Sequence, residues 1–114
     1  MPKRTLDPLP TAAFHILLAL AGGDLHGYGI MREVAEQTDN RMRLGPGTLY
    51  GSLRTLVQEK LIQEVDGPKD ETSERRRYYR LTAAGRKLAR SESDRLADLL
   101  RVARAKGILR GDHV

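Results

Sequence analysis

The sequence predicts a mainly α-helical chain with a small β-hairpin. A polar-faced helical segment begins at Pro46 and is followed by two short strand-like segments, 61–65 and 75–81, around the charged loop 66–74. A long amphipathic segment comes after them. Net charge is +5 over 114 residues, with −2 in residues 1–40, +3 in 41–80 and +4 in 81–114. This order of elements is typical of a winged helix-turn-helix followed by a C-terminal dimerisation helix.

The first two helices are predicted from apolar periodicity. Thr11 is the expected N-cap of a helix over residues 12–21, which Gly22 ends. A second helix is predicted to open at Leu25 and to run to about Thr38. The predicted buried face of the first helix consists of four residues at helical spacing: Phe14, Leu17, Leu18 and Ala21.

The third helix is predicted to begin at Pro46, which suits a first helical turn, and to end near Glu59. Leu49, Leu53 and Leu56 lie at i, i+4 and i+7, so one face is buried and the others stay available for contacts. Lys60 stands where glycine would close the helix more comfortably.

The two predicted strands form a hairpin. In the second strand, Arg77, Tyr79 and Leu81 share one face, and Tyr78 and Arg80 share the other. One tyrosine is therefore expected in the core and the other at the surface.

The last helix is predicted to be capped by Thr82, to run from residue 83 to about 106, and to stop at Gly107. Residues 1–81 would form the winged helix-turn-helix domain, and residues 82–114 the dimerisation helix and tail. A second copy of the chain is the simplest partner for its apolar stripe; the alternative folds the helix back on its own domain. The stripe consists of Leu88, Leu96, Leu99, Leu100 and Ala103.

Composition excludes several classes of function. The chain has no cysteine, which excludes a disulfide framework, a thiolate metal site and a cysteine nucleophile. His15, His26 and His113 lack metal-ligand spacing, so no metal site is expected. No nucleophile or phosphate-loop motif is present, so neither an enzyme nor a cofactor is expected. The longest apolar run, 16–21, is too short for a bilayer, and the first residues lack a signal-peptide pattern, so a cytoplasmic protein is expected.

Four residues of the third helix are candidate DNA contacts. Arg54 suits a guanine edge or a phosphate, and Tyr50, one turn earlier, suits a phosphate. Thr48 near the helix start would add a phosphate contact, and Gly51 would permit close approach of the backbone. The alternative is that Tyr50 is half in the core and Gly51 is merely tolerated.

Basic residues of the hairpin are the second group of candidates. Lys69, Arg75, Arg76 and Arg77 would meet phosphates or the minor groove. The alternative is a solvated charge run balanced by Asp70, Glu71 and Glu74. Arg77 has a further alternative, in which it packs beside Tyr79.

Several motifs, in the order in which they occur along the chain, resemble those of the PadR-type transcriptional regulators of the short form, which have one C-terminal helix. The resemblance extends from about residue 11 to 100, although the family pattern usually has glycine at position 60. The segments that carry it are Leu25-His26-Gly27-Tyr28-Gly29-Ile30, Gly45-Pro46-Gly47-Thr48-Leu49-Tyr50, Leu53 with Leu56, Leu61-Ile62, and Arg75 to Leu81 with Thr82-Ala83-Ala84-Gly85.

The resemblance implies a homodimeric repressor that binds double-stranded DNA at inverted half-sites, often near its own gene. Many such proteins respond to a small aromatic or cationic effector, in some cases at the dimer interface. Some stack that ligand on a C-terminal tryptophan, which this chain lacks. The alternative function is a winged-helix protein-interaction module that does not read DNA.

Overall fold

The computed structural model describes residues 6, 8–68 and 77–110. These residues form helices and strands in the following order: α1 (Thr11–Ala21), β1 (Leu25–His26), α2 (Gly27–Gln37), α3 (Pro46–Gln58), β2 (Ile62–Asp66), β3 (Arg77–Leu81) and α4 (Ala83–Ala105).

The predicted fold class is confirmed, with one strand more than expected. The β2–β3 hairpin, which we call the wing, joins β1 in an antiparallel sheet of order β1-β3-β2. The sequence placed Leu25 and His26 in the second helix, but they pair with Tyr79 and Tyr78 of β3. Two residues carry no periodicity of their own, and their strand geometry comes from this pairing. The helix therefore begins at Gly27.

The core lies between α1, α2, α3 and the inner face of the sheet. The buried face predicted for α3 is confirmed, and Tyr79 is the core tyrosine at 6% exposure, whereas Tyr78 is half-buried. The fully buried large side chains are Ile16, Leu17, Ile30, Val34, Leu49, Leu53, Leu56 and Ile62.

Two predictions for α1 are wrong. Pro10, not Thr11, is the N-cap, and no side chain caps this helix. Of the predicted buried stripe, Leu17 is buried, Phe14 is half-buried, and Leu18 and Ala21 are exposed. The helix is apolar on nearly every side, so periodicity admits more than one stripe, and packing selects the one a residue earlier. The residues that are buried are Ala13, Ile16, Leu17, Ala19 and Leu20.

The turn between α2 and α3 positions α3. Asp39 and Asn40 both have left-handed backbones, with φ of 54° and 62°, which aspartate and asparagine tolerate better than most residues. The Thr38 hydroxyl donates to the Val34 carbonyl at 2.8 Å and accepts from the Met42 amide at 3.0 Å. This turn ends α2 where the sequence predicted.

A close junction connects the end of α3 to the start of α4. Lys60 has φ of 62°, a left-handed conformation that glycine adopts more readily than lysine. The Thr82 hydroxyl donates to the Lys60 carbonyl at 2.8 Å and accepts from the Gly85 amide at 3.0 Å, so the predicted Thr82 cap is confirmed. The Thr82 amide donates to the Leu61 carbonyl at 3.1 Å. These bonds fix the direction in which α4 leaves the wing.

A charge-assisted contact connects the α1–β1 turn to the wing. Arg80 Nη2 donates to Asp24 Oδ2 at 2.7 Å, and Arg80 Nε donates to Asp24 Oδ1 at 3.1 Å. The hydrogen bonds from Arg80 hold the pKa of the Asp24 carboxyl below its usual range.

We expect Asp24 to contribute to the loss of stability at acidic pH. Because its folded-state pKa lies below its unfolded-state value, its stabilisation is complete above the unfolded pKa. It is lost as pH falls through the folded pKa. Asp24→Asn should therefore lower stability at pH 7 and flatten the decline below about pH 4. Urea unfolding from pH 7 to pH 2 measures this.

The matched control is Asp94→Asn, which removes the same charge from an exposed position of α4. If Asp24→Asn and Asp94→Asn change the free energy of unfolding at low pH equally, the Arg80 contact does not stabilise the fold.

Candidate nucleic-acid interface

The outer face of α3 is open to solvent. Gly45 caps the helix in an extended conformation and Pro46 occupies its first turn. The leucines at 49, 53 and 56 bury the inner face, which leaves Thr48, Arg54 and Gln58 exposed. Within the described ranges, Arg54 takes part in none of the ion pairs. Among the described residues, no carboxylate therefore competes with an external acceptor for its guanidinium.

Gly51 lies inside α3 with open space beside it. Among the described residues outside the helix's own backbone and the adjacent positions, a Cβ built at Gly51 or at Gly47 would meet no atom within 4 Å. Glycine in a helix interior costs about 1 kcal/mol relative to alanine, and packing among the residues that the structure describes gives no reason for that cost. The absence of a side chain here leaves the helix backbone accessible to a partner.

Tyr50 is half exposed, at 49%, and packs against the start of α2. A Cβ at Gly27 would lie 2.7 Å from the Tyr50 hydroxyl oxygen, so the missing side chain of Gly27 makes room for the ring. Both readings of Tyr50 are therefore compatible with the structure, because one side of the ring is packed and the other faces solvent.

A groove of about 220 Å³ separates α3 from the wing, and we call it the α3–wing groove. It brings together three of the predicted contacts, Tyr50, Arg54 and Arg77. Glu64 of β2 also lines it, and Arg77 Nη1 lies 3.7 Å from Glu64 Oε1. Tyr79 closes its floor, where burial raises the pKa of the phenol. Arg77 and Tyr79 thus line the same groove, while the Arg77 side chain is 77% exposed.

A second concavity, of about 540 Å³, adjoins this groove at the start of α2. Tyr50 and Arg77 line it together with His26 and Tyr28. His26 Nδ1 accepts the Gly29 amide at 3.0 Å and so caps α2, and its ring lies edge-on to Tyr78 at 5.2 Å. Tyr28, between two glycines at the start of α2, is 60% exposed.

Three of the predicted hairpin contacts belong to the part of the chain that the structure does not describe. Lys69, Arg75 and Arg76 lie outside the described residues, as does His113. In the part of the chain that the structure describes, no group of three or more His, Cys, Asp or Glu side chains could hold a metal ion. No helix in that part is both long and apolar enough to cross a membrane.

The apolar stripe of α4 changes character along the helix. Leu88 packs against the chain's own core, and Leu96 and Ala103 are half-buried. Leu99 and Leu100 are 50% and 51% exposed. Two further apolar residues of the same region, Val102 and Ile108, are exposed and were not part of the predicted stripe. At 23 residues, α4 is about 35 Å long, and its second half extends beyond the core.

Comparison with known proteins connects this arrangement to one family. Residues 16–91 match the model of the Transcriptional regulator PadR-like family. A curated relative, an uncharacterized 37.1 kDa protein in transposon TN4556 of Streptomyces fradiae, is 39% identical over 84 residues. That match covers 74% of this chain and 22% of the relative, so this chain spans about a fifth of the relative's length.

Solved structures of transcriptional regulators have the same fold. One from Clostridium thermocellum is 29% identical with a TM-score of 0.69, over 82% of this chain and 89% of the other. A PadR family regulator from Clostridium difficile is 25% identical with a TM-score of 0.69, over 84% and 97%. Bacillus subtilis PadR in complex with operator DNA is 23% identical with a TM-score of 0.63, over 72% and 46%.

Proposed function

This chain belongs to the PadR-like family of transcriptional regulators, and we therefore propose that it binds double-stranded DNA through α3 and the wing. The observation that carries the proposal is the α3–wing groove, where Tyr50 and Arg54 of α3 face Arg77 of the wing. Bacillus subtilis PadR, which shares the fold, has been solved with operator DNA, and this supports the choice of ligand.

The proposed contacts divide by chemistry. Arg54 and the exposed start of α3, with Thr48, would enter the major groove, where arginine can donate two hydrogen bonds to a guanine. Tyr50 and Arg77 would bind phosphates beside it. On the strength of the sequence, we assign phosphate contacts to Lys69, Arg75 and Arg76 as well. Binding should weaken steeply as salt rises, because each neutralised phosphate releases counterions.

We also propose that two copies associate through α4. The half-exposed Leu99 and Leu100 lie on the part of α4 that extends beyond the core, and a second copy would cover them. A symmetric dimer would bind two inverted half-sites about one helical turn apart. Sedimentation equilibrium should give the mass of two chains; a single-chain mass at micromolar concentration would contradict this arrangement.

A homodimer seated on an operator would act as a repressor. A small-molecule effector would release DNA by binding better to a dimer whose two α3 helices have the wrong spacing. Because its proposed partner is double-stranded DNA, we propose that the protein acts in the cytoplasm.

Fluorescence anisotropy tests DNA binding. We expect the chain to bind a duplex from upstream of its own gene more tightly than a scrambled duplex, and less tightly at higher salt. The duplex that the wild-type chain prefers, from this region or from a wider search, is called the preferred duplex below. Absence of binding to any duplex at low salt would favour a protein-interaction module instead.

Gly51→Ala should raise the stability of the fold and weaken DNA binding. Alanine fits the open space beside Gly51 and should raise the free energy of unfolding by up to about 1 kcal/mol. The added methyl group would obstruct close approach of DNA and should weaken binding to the preferred duplex by roughly tenfold, or about 1.4 kcal/mol. Urea unfolding and anisotropy of the same variant measure the two effects. A more stable variant with unchanged affinity would show that DNA does not approach Gly51.

A further inference from the structure

The α3–wing groove contains a carboxylate as well as two arginines. Glu64 lies in the middle of β2, directly opposite Tyr79 of β3. The Arg77 guanidinium, one diagonal position away on the same face, approaches it to 3.7 Å. Asp66 is the register partner of Arg77, but Arg77 forms an ion pair with Glu64. Glu64 therefore faces the surface that is proposed to meet phosphates.

The ion pair between Arg77 and Glu64 contributes little to the stability of the fold. The side chains of Arg77 and Glu64 are 77% and 46% exposed, and exposed ion pairs contribute little to stability. Their separation is also longer than a charge-assisted hydrogen bond. The contact is therefore weak enough for a well-placed phosphate to replace Glu64 as the partner of Arg77.

We propose that Glu64 is a specificity-determining residue of the DNA site, an inference that depends on the proposed function. In a non-specific complex, Glu64 retains Arg77 and repels the phosphates that lie near the groove. In the specific complex, base contacts of α3 fix the duplex close to the wing, and a phosphate takes Arg77 from Glu64. The carboxylate thus penalises binding that lacks base contacts more than binding that has them.

Glu64→Gln tests this inference, because it removes the charge with little change of shape. On the scrambled duplex, affinity should rise roughly fivefold to tenfold and the slope of log K against log salt should steepen by about 0.9, the value of one added phosphate contact. On the preferred duplex, the slope should remain that of the wild type. The ratio of the two affinities should therefore fall several-fold. Anisotropy titrations at four salt concentrations measure the affinities, the slopes and the ratio of the affinities.

Two controls isolate the pair. Glu59→Gln removes the same charge from a position that lines a different concavity, beside Leu61 and Lys87, and should leave the affinity ratio unchanged. In an Arg77→Gln background, Glu64→Gln should no longer steepen the slope on the scrambled duplex.

Three results would overturn the inference: no change in either affinity, an equal rise on both duplexes, or a selective loss on the preferred duplex. The last would indicate that Glu64 accepts a hydrogen bond from a base. A wild-type chain that prefers no duplex would instead contradict the proposed function, so the two failures are distinguishable.

Discussion

Arg54→Ala is expected to weaken binding to the preferred duplex by about 1–3 kcal/mol, or roughly 5-fold to 150-fold. Arg54 is exposed, and in the described part of the chain no carboxylate pairs with it, so its guanidinium can donate to a base or a phosphate. The fold should be unaffected, since substitutions at such positions usually change stability by less than about 0.5 kcal/mol. Anisotropy and urea unfolding measure the two effects.

The scrambled duplex distinguishes the two roles of Arg54. If Arg54 reads a guanine, the loss should be confined to the preferred duplex. If it binds a phosphate, both duplexes should weaken together and the salt slope should fall by about 1. Arg90→Ala, which removes an exposed arginine from α4, is the matched control. It should change neither the affinity for the two duplexes nor the salt slope. Unchanged affinity of the Arg54 variant would refute any contact with DNA.

Gly85→Ala is expected to destabilise the fold strongly. A Cβ at Gly85 would lie 2.0 Å from the Leu61 carbonyl oxygen, and this backbone atom also accepts the Thr82 amide. The start of α4 would have to move away from the end of α3, which would disturb the Thr82 cap. We expect a loss of about 2–3 kcal/mol, near the upper end for overpacking. Thermal unfolding should show a fall of roughly 10 °C or more.

Gly51→Ala is the control for this result, because it makes the same change in a helix where the space is open. The two substitutions should move stability in opposite directions. A Gly85 variant as stable as the wild type would show that the junction between α3 and α4 has room that the geometry does not indicate.

The sequence was most informative where one physical signal dominated. The leucines of α3 have a single possible buried face, and Pro46 and Thr82 mark helix starts by their own chemistry, so these predictions were confirmed. In α1, apolar residues on most sides left the buried face undetermined, and β1 depends entirely on pairing with β3.

The candidate site was predictable in part for the same reason. The order of helix and hairpin predicted that both elements would contact DNA, and the structure shows that Arg54 and Arg77 line one groove. The fit of Tyr50 against Gly27, the ion pair of Glu64 with Arg77 and the link from Asp24 to Arg80 join residues far apart in the chain. Local propensity and periodicity carry no signal for such contacts.

Selection from a random pool of duplexes tests the proposed function most directly. Duplexes that the wild-type chain retains would be sequenced after successive rounds at moderate salt. We expect enrichment of one sequence with two inverted half-sites, about 10 base pairs or a multiple of that distance apart, as a symmetric pair of α3 helices requires. A retained pool with no common sequence would contradict sequence-specific binding by this chain.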